Sequence, residues 1–249
     1  MTTPNISIVI PTRNRPQILR QCLDHIEKQT IADQIEVIVV IDGDDPKTAE
    51  MLSSLHWSFP LICFAIPKAQ QGIARNRGME KAHGKIVLFI GDDIFLAPDA
   101  CERHIRAHAR KSEIRNPKSE INLKLQTNMH TGSDFVLRAS DFPIAVLGFT
   151  TWDPAVGITS VMRWLTKTGW QFGYEKIAAY GGKILPSEIQ HRFTYTSHIS
   201  LSRAIAQDFP FHEDVTLYGW EDVEWGIRLR DAGIPLFYEA TAHALHHHR

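Results

Sequence analysis

Cysteine is scarce: Cys22, Cys63 and Cys101 are odd in number, far apart and each set beside apolar neighbours. They supply no disulfide framework and suit reduced thiols in a cytosolic chain. No stretch approaches the ~20 apolar residues of a membrane span. Met1 to Ile10 has neither the basic flank nor the apolar core of a secretory signal. A cytoplasmic location is expected, with peripheral contact at the inner membrane face left open. Excess charge of one sign is also absent, with 27 basic residues against 28 acidic ones for a net charge of -1. Nothing therefore argues for a nucleic-acid partner, and any phosphate binding must be local. Missing too are a Gly-Lys-Ser/Thr phosphate loop and a G-x-G-x-x-G turn after the first strand, which removes support for kinase-like and dinucleotide readings. No internal repeat or low-complexity linker interrupts the 249 residues, whose 43% hydrophobic and 22% charged content suits one globular domain.

What is there begins with a β-branched run, Ile6 to Ile10, which ends at Pro11 and delivers Thr12, Arg13 and Asn14 to a loop. Pro16 then opens a helix whose Ile18, Leu19, Cys22, Leu23 and Ile26 form an apolar stripe. A second strand, Val37 to Ile41, runs into Asp42, and this βαβ unit predicts a parallel sheet. The pattern repeats as a helix over Thr48–Leu55, a strand over Leu61–Ile66, a helix over Ile73–Ala82 and a strand over Ile86–Ile90. Thr12, Asp42 and Asp92 all fall at carboxyl ends of strands, where open α/β sheets bind ligands. From Pro98 to Lys118 a polar helix and a basic stretch (Arg103, Arg106, Arg110, Lys111, Arg115, Lys118) read as a solvated face. Ser119 to Gly182 shows little periodicity but many aromatics, among them Phe142, Phe149, Trp152, Trp164, Trp170, Phe172, Tyr174 and Tyr180. Most of these are expected in the core, with Trp152 and Trp170 as candidates for stacking on a sugar. A last helix, Glu221 to Ala232, stops at Gly233 and precedes a short strand near Leu236.

Four clusters can carry chemistry. Gly91-Asp92-Asp93 places adjacent carboxylates after a buried strand, where they need a cation or hydrogen bonds. Mg²⁺ or Mn²⁺ shared with substrate phosphates would serve, and so would a plain polar turn. Gln71 to Gly78 opens a helix with Arg75 and Arg77, suited to phosphate or base contacts or simply to solvent. Gly219-Trp220-Glu221-Asp222 puts two acids at a helix start, where the helix dipole alone contributes ~0.3–1 kcal/mol. A flanking Gly and Trp also suit a carboxylate offered to a sugar hydroxyl as general base. The terminal His243-Ala244-Leu245-His246-His247-His248-Arg249 offers imidazoles to a transition metal and makes a poor purification tag. His104 and His108 share a helix face at i, i+4, but without the Glu of a zinc-protease motif they read as solvated.

With these residues in view, the chain resembles the family 2 inverting glycosyltransferases of the GT-A fold, over about the first 100 residues and again from about Thr194 onward. Ile8 to Asn14 resembles the family's opening strand and loop, and Val39-Val40-Ile41-Asp42-Gly43 the strand that ends in two aspartates, with Ile41 in place of the first. Gly72 to Asn76 is similar to its G-x-x-x-A-R-N segment, and Gly91-Asp92-Asp93 to its D-x-D motif with Gly for one acid. Gly219 to Asp222 resembles its E-D motif. These motifs occur in the family's order.

The resemblance implies an α/β, Rossmann-like open and mostly parallel sheet with helices on both faces. It implies one domain over 1–249, with a nucleotide-sugar-binding half (1–100) and an acceptor-binding and catalytic half (101–249). The expected reaction moves a sugar from a nucleotide diphosphate sugar, UDP favoured, to a hydroxyl of a saccharide, glycolipid or other glycoconjugate, with inversion and with Mn²⁺ or Mg²⁺. Pro11, Thr12, Arg13, Asp42, Gly72, Arg75, Asp92 and Trp220 would meet the donor; Asp93, His246 and His248 the metal; Asp222, with Glu221 beside it, the acceptor proton. Two other readings stand beside this one: a nucleotidyltransferase that makes an activated sugar, and a non-catalytic nucleotide-sugar-binding module.

Overall fold

A computed structural model describes residues 3–110, 143–217 and 219–248. Lys111, Arg115 and Lys118 of the expected basic stretch, and Phe142, lie outside the described residues. The first half alternates as the βαβ pattern requires: β1 (Ile6–Thr12), α1 (Pro16–Glu27), β2 (Ile35–Asp42), α2 (Pro46–Ser53), β3 (Leu61–Ile66), α3 (Gln71–Glu80) and β4 (Ile86–Ile90). The four strands are parallel in the order β3-β2-β1-β4, with Ile8 beside both Val37 and Leu88. Side chains of a strand alternate between faces. Ile6, Ile8 and Ile10 of β1, with Val37, Val39 and Ile41 of β2, therefore pack on Leu19, Leu23 and Ile26 of α1. Val9, Ile38 and Val40 face the other way, onto Ala74 and Met79 of α3. Helices cover both faces, which is why these strands read as continuous apolar runs.

Close approach of α3 to the sheet rests on Gly78, where an added Cβ would collide with Val9 Cγ1 and lie 3.0 Å from Val40 Cγ2. Gly78→Ala is expected to cost ~1–3 kcal/mol through overpacking, despite alanine's better helix propensity. The check is the denaturant midpoint at constant slope, and an unchanged midpoint would mean that the helix lifts off the sheet freely.

The second half continues with β5 (Ile94–Leu96), α4 (Ala100–Ala109), β6 (Ala145–Trp152), α5 (Ser160–Thr168), β7 (Lys183–Ile184), α6 (Ser187–Gln190), β8 (His198–Ser202), α7 (Arg203–Asp208), α8 (Trp220–Asp231) and β9 (Leu236–His246). It extends the sheet as β4-β8-β6-β9-β5, with β7 also on β9. β8 is antiparallel to β4 and β6, whereas β9 runs parallel to β6. The short strand expected near Leu236 is in fact 11 residues long and reaches His246. Its Ala-rich middle hid it: Ala242 and Ala244 are buried, and small side chains fit where β9 lies between β6 and β5. The β6–β9 register breaks between Gly148, opposite Glu239, and Phe149, opposite His243. Such a bulge bends a strand and re-aims its end. Here the end pairs with Ile94, immediately after the acidic turn.

The solvated face expected for His104 and His108 is corrected by the structure. Both are buried, because α4 turns Ala100, Cys101, His104, Ala107 and His108 inward and leaves Arg106 and Arg110 outside. His104 reaches Ser200 at 2.8 Å and His198 at 3.1 Å, and His108 reaches Ser200 at 2.9 Å. Burial holds His104 and His198 well below the usual imidazole range, so these rings are neutral hydrogen-bonding elements of the core. No helix among the described residues is long and apolar enough to cross a membrane. Cys22, Cys63 and Cys101 are free thiols, of which Cys63 is exposed.

Candidate active site

Strands β2, β1 and β4 are neighbours, so the loops leaving their carboxyl ends meet at one edge of the sheet. The β1 loop is pinned to α2, since Asn14, at φ 55°, donates its backbone N–H to Asp45 Oδ2 at 2.7 Å. Thr12 Oγ1 donates to Asp92 Oδ2 at 2.7 Å. Arg15, from the same loop, donates Nε and Nη2 to the two oxygens of Asp92 and Nη1 to Asp93 Oδ2 at 2.9 Å. Sequence reasoning stopped at Arg13 and missed Arg15. A lone Arg before a helix-opening Pro carries no motif, and its only signal is that two buried aspartates require a cation. Burial pushes Asp92 up to about 6, against the pull of Arg15, with the charge of Asp93 adding to the rise. Burial opposes ionisation of Asp93 as well, but His246 and Arg15 outweigh it and hold this carboxyl well below the usual range. At Gly91 an added Cβ would lie 2.8 Å from Asp93 Oδ1, so a side chain there would push on the Asp93 carboxylate. On β2, Asp42 Oδ1 accepts from the Ala69 backbone at 2.5 Å.

The end of β9 completes this corner. In extended chain alternate residues share a side, and His246 Nε2 and His248 Nδ1 lie 3.3 and 3.4 Å from Asp93 Oδ2. His247 points away, to Asp153 Oδ2 at 2.7 Å, while its backbone N–H donates to the Asp93 carbonyl at 2.8 Å. The carboxylate and the two imidazoles offer ligand atoms all within 4.8 Å of one another. The His246 ring stacks on Trp152 (centroids 5.2 Å apart) and meets the edge of Phe172. Trp152 is thus a buried support for an imidazole, not a sugar platform. Phe172 sits at φ 54°, a left-handed conformation that costs an aromatic residue on the order of 1–3 kcal/mol and is held here by packing.

The start of α8 contributes to the same site. Gly219, at φ 80°, makes the turn that presents Glu221 and Asp222. Asp222 accepts from Thr196 Oγ1 at 2.5 Å and from the Thr196 N–H at 3.2 Å. Burial pushes it up to about 6, with Arg75 and Thr196 pulling it back and Glu221 adding to the rise. Arg75 is buried beside the Phe211 ring, whereas Arg77 is the solvated arginine, paired with Glu80. Asn76 exchanges two 2.8 Å hydrogen bonds with the Phe211 backbone and anchors that loop.

A cleft of about 770 Å³ joins these corners. Pro11, Thr12, Arg13, Asp42 and Arg75 line it, as do Asp92, Asp93, Glu221, Asp222, His246 and His248. Gly72 and Trp220 do not. Gly72 lets α3 pack on Phe211, 3.2 Å from where its Cβ would be, and Trp220 projects into solvent, 62% exposed. Arg15, Thr194 and Thr196 line the cleft without having been foreseen.

Residues 7–115 match the family model described as glycosyl transferase family 2. YfnE of Bacillus subtilis, an uncharacterized glycosyltransferase by name, is 27% identical over 250 residues, covering 92% of this chain and 61% of the relative. EpsH of the same organism, also a glycosyltransferase by name, is 32% identical over 46% of this chain and 33% of its own length. The chain therefore spans under two thirds of these relatives. Among solved structures, Staphylococcus aureus TarS (residues 1–349, with UDP-GlcNAc) superposes with a TM-score of 0.60 at 13% identity, over 98% of this chain and 56% of that one. A mannosyltransferase of Pyrobaculum calidifontis, with GDP-Man and Mn²⁺, superposes with a TM-score of 0.59 at 15% identity, over 99% and 58%. The fold is GT-A, and the N-terminal part of the chain, residues 7–115, matches glycosyl transferase family 2.

Proposed function

We propose that this cleft transfers a sugar from a nucleotide diphosphate sugar, UDP favoured, to an acceptor hydroxyl with inversion and with a bound divalent cation. The observation that carries the reading is one cleft holding both a carboxylate–imidazole donor set and an aspartate raised toward neutrality. Asp93, His246 and His248 fit a cation. Their ligand atoms converge, and the Nδ1 atom of His246 is buried without a partner, which leaves Nε2 as its working nitrogen. Two imidazoles with one carboxylate suit Mn²⁺ better than Mg²⁺. When bound, the ion supplies Lewis-acid stabilisation of charge on the departing diphosphate. Pro11, Thr12, Arg13, Asp42 and Arg75 hold the nucleotide side. Asp222 takes the proton of the acceptor hydroxyl, whose oxygen bonds to the anomeric carbon from the face opposite the leaving group. The bond to the diphosphate breaks, and its electron pair leaves on the phosphate oxygen. A base near pKa 6 is ionised at neutral pH yet basic enough to accept that proton. Glu221, buried beside it, adds the negative charge that keeps it basic.

The test is thermal: UDP-GlcNAc and GDP-Man, each with Mn²⁺ or with EDTA. Ligand at ~100 times its Kd adds ~2.7 kcal/mol and raises the melting temperature by several degrees. Stabilisation by either donor only with Mn²⁺ is expected; stabilisation by neither would overturn the reading. On the acceptor side, Trp170 is 81% exposed and lines the cleft, with Trp164 at 6.2 Å between ring centroids. Trp170→Ala is expected to raise acceptor KM about tenfold, an indole face being worth ~1 kcal/mol or more against a flat partner. Donor affinity should hold. An unchanged acceptor KM would return Trp170 to the plain surface.

A further inference from the structure

Arg15 binds both aspartates of the acidic turn. Nε and Nη2 grip both oxygens of Asp92, and Thr12 adds a third bond there. Asp92 is accordingly absent from the convergent group of Asp93, His246 and His248. Asp93 Oδ2, by contrast, is approached three times: by Arg15 Nη1 at 2.9 Å, His246 Nε2 at 3.3 Å and His248 Nδ1 at 3.4 Å. A cation held by Asp93 and the two imidazoles, whose nitrogens both approach that oxygen, would meet the guanidinium charge at close range. The Arg15 side chain is 37% exposed whereas Asp92 beneath it is 2% exposed, so the guanidinium forms part of the cleft wall. Three of its N–H groups go to the aspartates. A guanidinium has five, so the rest remain for an anion.

We propose that Arg15 is a second cation for the leaving diphosphate, anchored by Asp92, and that it keeps the metal position closed until a diphosphate draws its Nη1 off Asp93. This rests on the reading of the cleft as a cation-assisted diphosphate site. The two aspartates then divide the work: Asp93 ligates the ion, and Asp92 aims Arg15. A phosphate oxygen replaces Asp93 as the partner of Nη1 and frees Oδ2, so nucleotide and ion favour each other's binding.

Calorimetry on the intact chain tests this with Mn²⁺ alone and with UDP at saturating Mn²⁺. In Arg15→Gln, Mn²⁺ alone is expected to bind more than about tenfold more tightly than in wild type, because the competing charge is gone. UDP with Mn²⁺ is expected to bind about tenfold more weakly, having lost a charged fork. Arg15→Lys keeps the charge without the fork: Mn²⁺ alone stays weak, and only part of the UDP affinity is kept. An arginine that merely held the turn together would weaken both ligands in step. Mn²⁺ affinity unchanged or lowered in Arg15→Gln overturns the proposal, as does unchanged UDP affinity. Should that variant melt below the titration temperature, Arg15→Lys decides, and UDP affinity equal to wild type overturns it. Wild type that takes up no Mn²⁺ even with saturating UDP removes the metal reading itself, a result distinguishable from failure of Arg15 alone.

Discussion

Asp222→Asn is expected to lower turnover by ~10²–10⁴ while leaving donor affinity almost unchanged. The substitution keeps shape and an acceptor oxygen for Thr196 but removes the basic site. The donor contacts of Thr12, Arg13 and Asp42 come from β1 and β2 and do not involve Asp222, so donor affinity should not follow. Normal turnover in this variant would remove Asp222 from the role. The same carboxylate predicts the acid limb of the pH profile. Burial has raised it to about 6, against Arg75 and Thr196, so the ionised base is lost as pH falls through that value. Below it, kcat/KM should drop about tenfold per pH unit. Thr196→Val deletes the hydroxyl donor at 2.5 Å and should move the limb upward by about one unit, since a hydrogen bond to a charged group is worth ~1.5 kcal/mol or more. The sign for stability is opposite: a raised carboxyl pKa favours the fold below the unfolded value and loses that contribution as pH rises through about 6. An acid limb that stays in place in Thr196→Val would assign it to another group.

Asp93→Ala carries the second large effect. Removing this carboxylate takes away the oxygen on which His246, His248 and Arg15 converge, so donor binding should lose its dependence on Mn²⁺ altogether. Calorimetry with UDP, with and without Mn²⁺, measures it. Unchanged Mn²⁺-dependent binding would reduce the acidic turn to a structural feature. The fold should survive the change, because the Asp93 backbone carbonyl, not its side chain, accepts the His247 N–H that ties β9 to the turn.

What the sequence disclosed was whatever local pattern governs. The β-branched runs of β1, β2 and β4 are buried on both faces, so their ends, and with them Thr12, Asp42 and Asp92, were legible without a structure. The acids at the start of α8 were legible for the same reason, a helix start following a glycine turn. β9 was not. Its Ala-rich run looks like coil, and only the partners β6 and β5 make it a strand that carries His246 to Asp93. Arg15 and Thr196 were invisible because their roles consist of bonds to Asp92, Asp93 and Asp222, 26 to 78 positions away in the chain. His104 and His108 misled because polarity was weighed above spacing: with Ala100, Cys101 and Ala107 they form the inward stripe of α4. The aromatic segment divided by burial, Trp152 going under His246 and Trp170 to the cleft mouth, a distinction that no periodicity encodes.

The most direct measurement is anomalous diffraction from crystals grown with Mn²⁺ and UDP. A manganese peak within coordinating distance of Asp93, His246 and His248, touching the diphosphate in the cleft that Asp222 also lines, is the expected result. A nucleotide bound with no manganese at that corner, or bound outside the cleft, would contradict it.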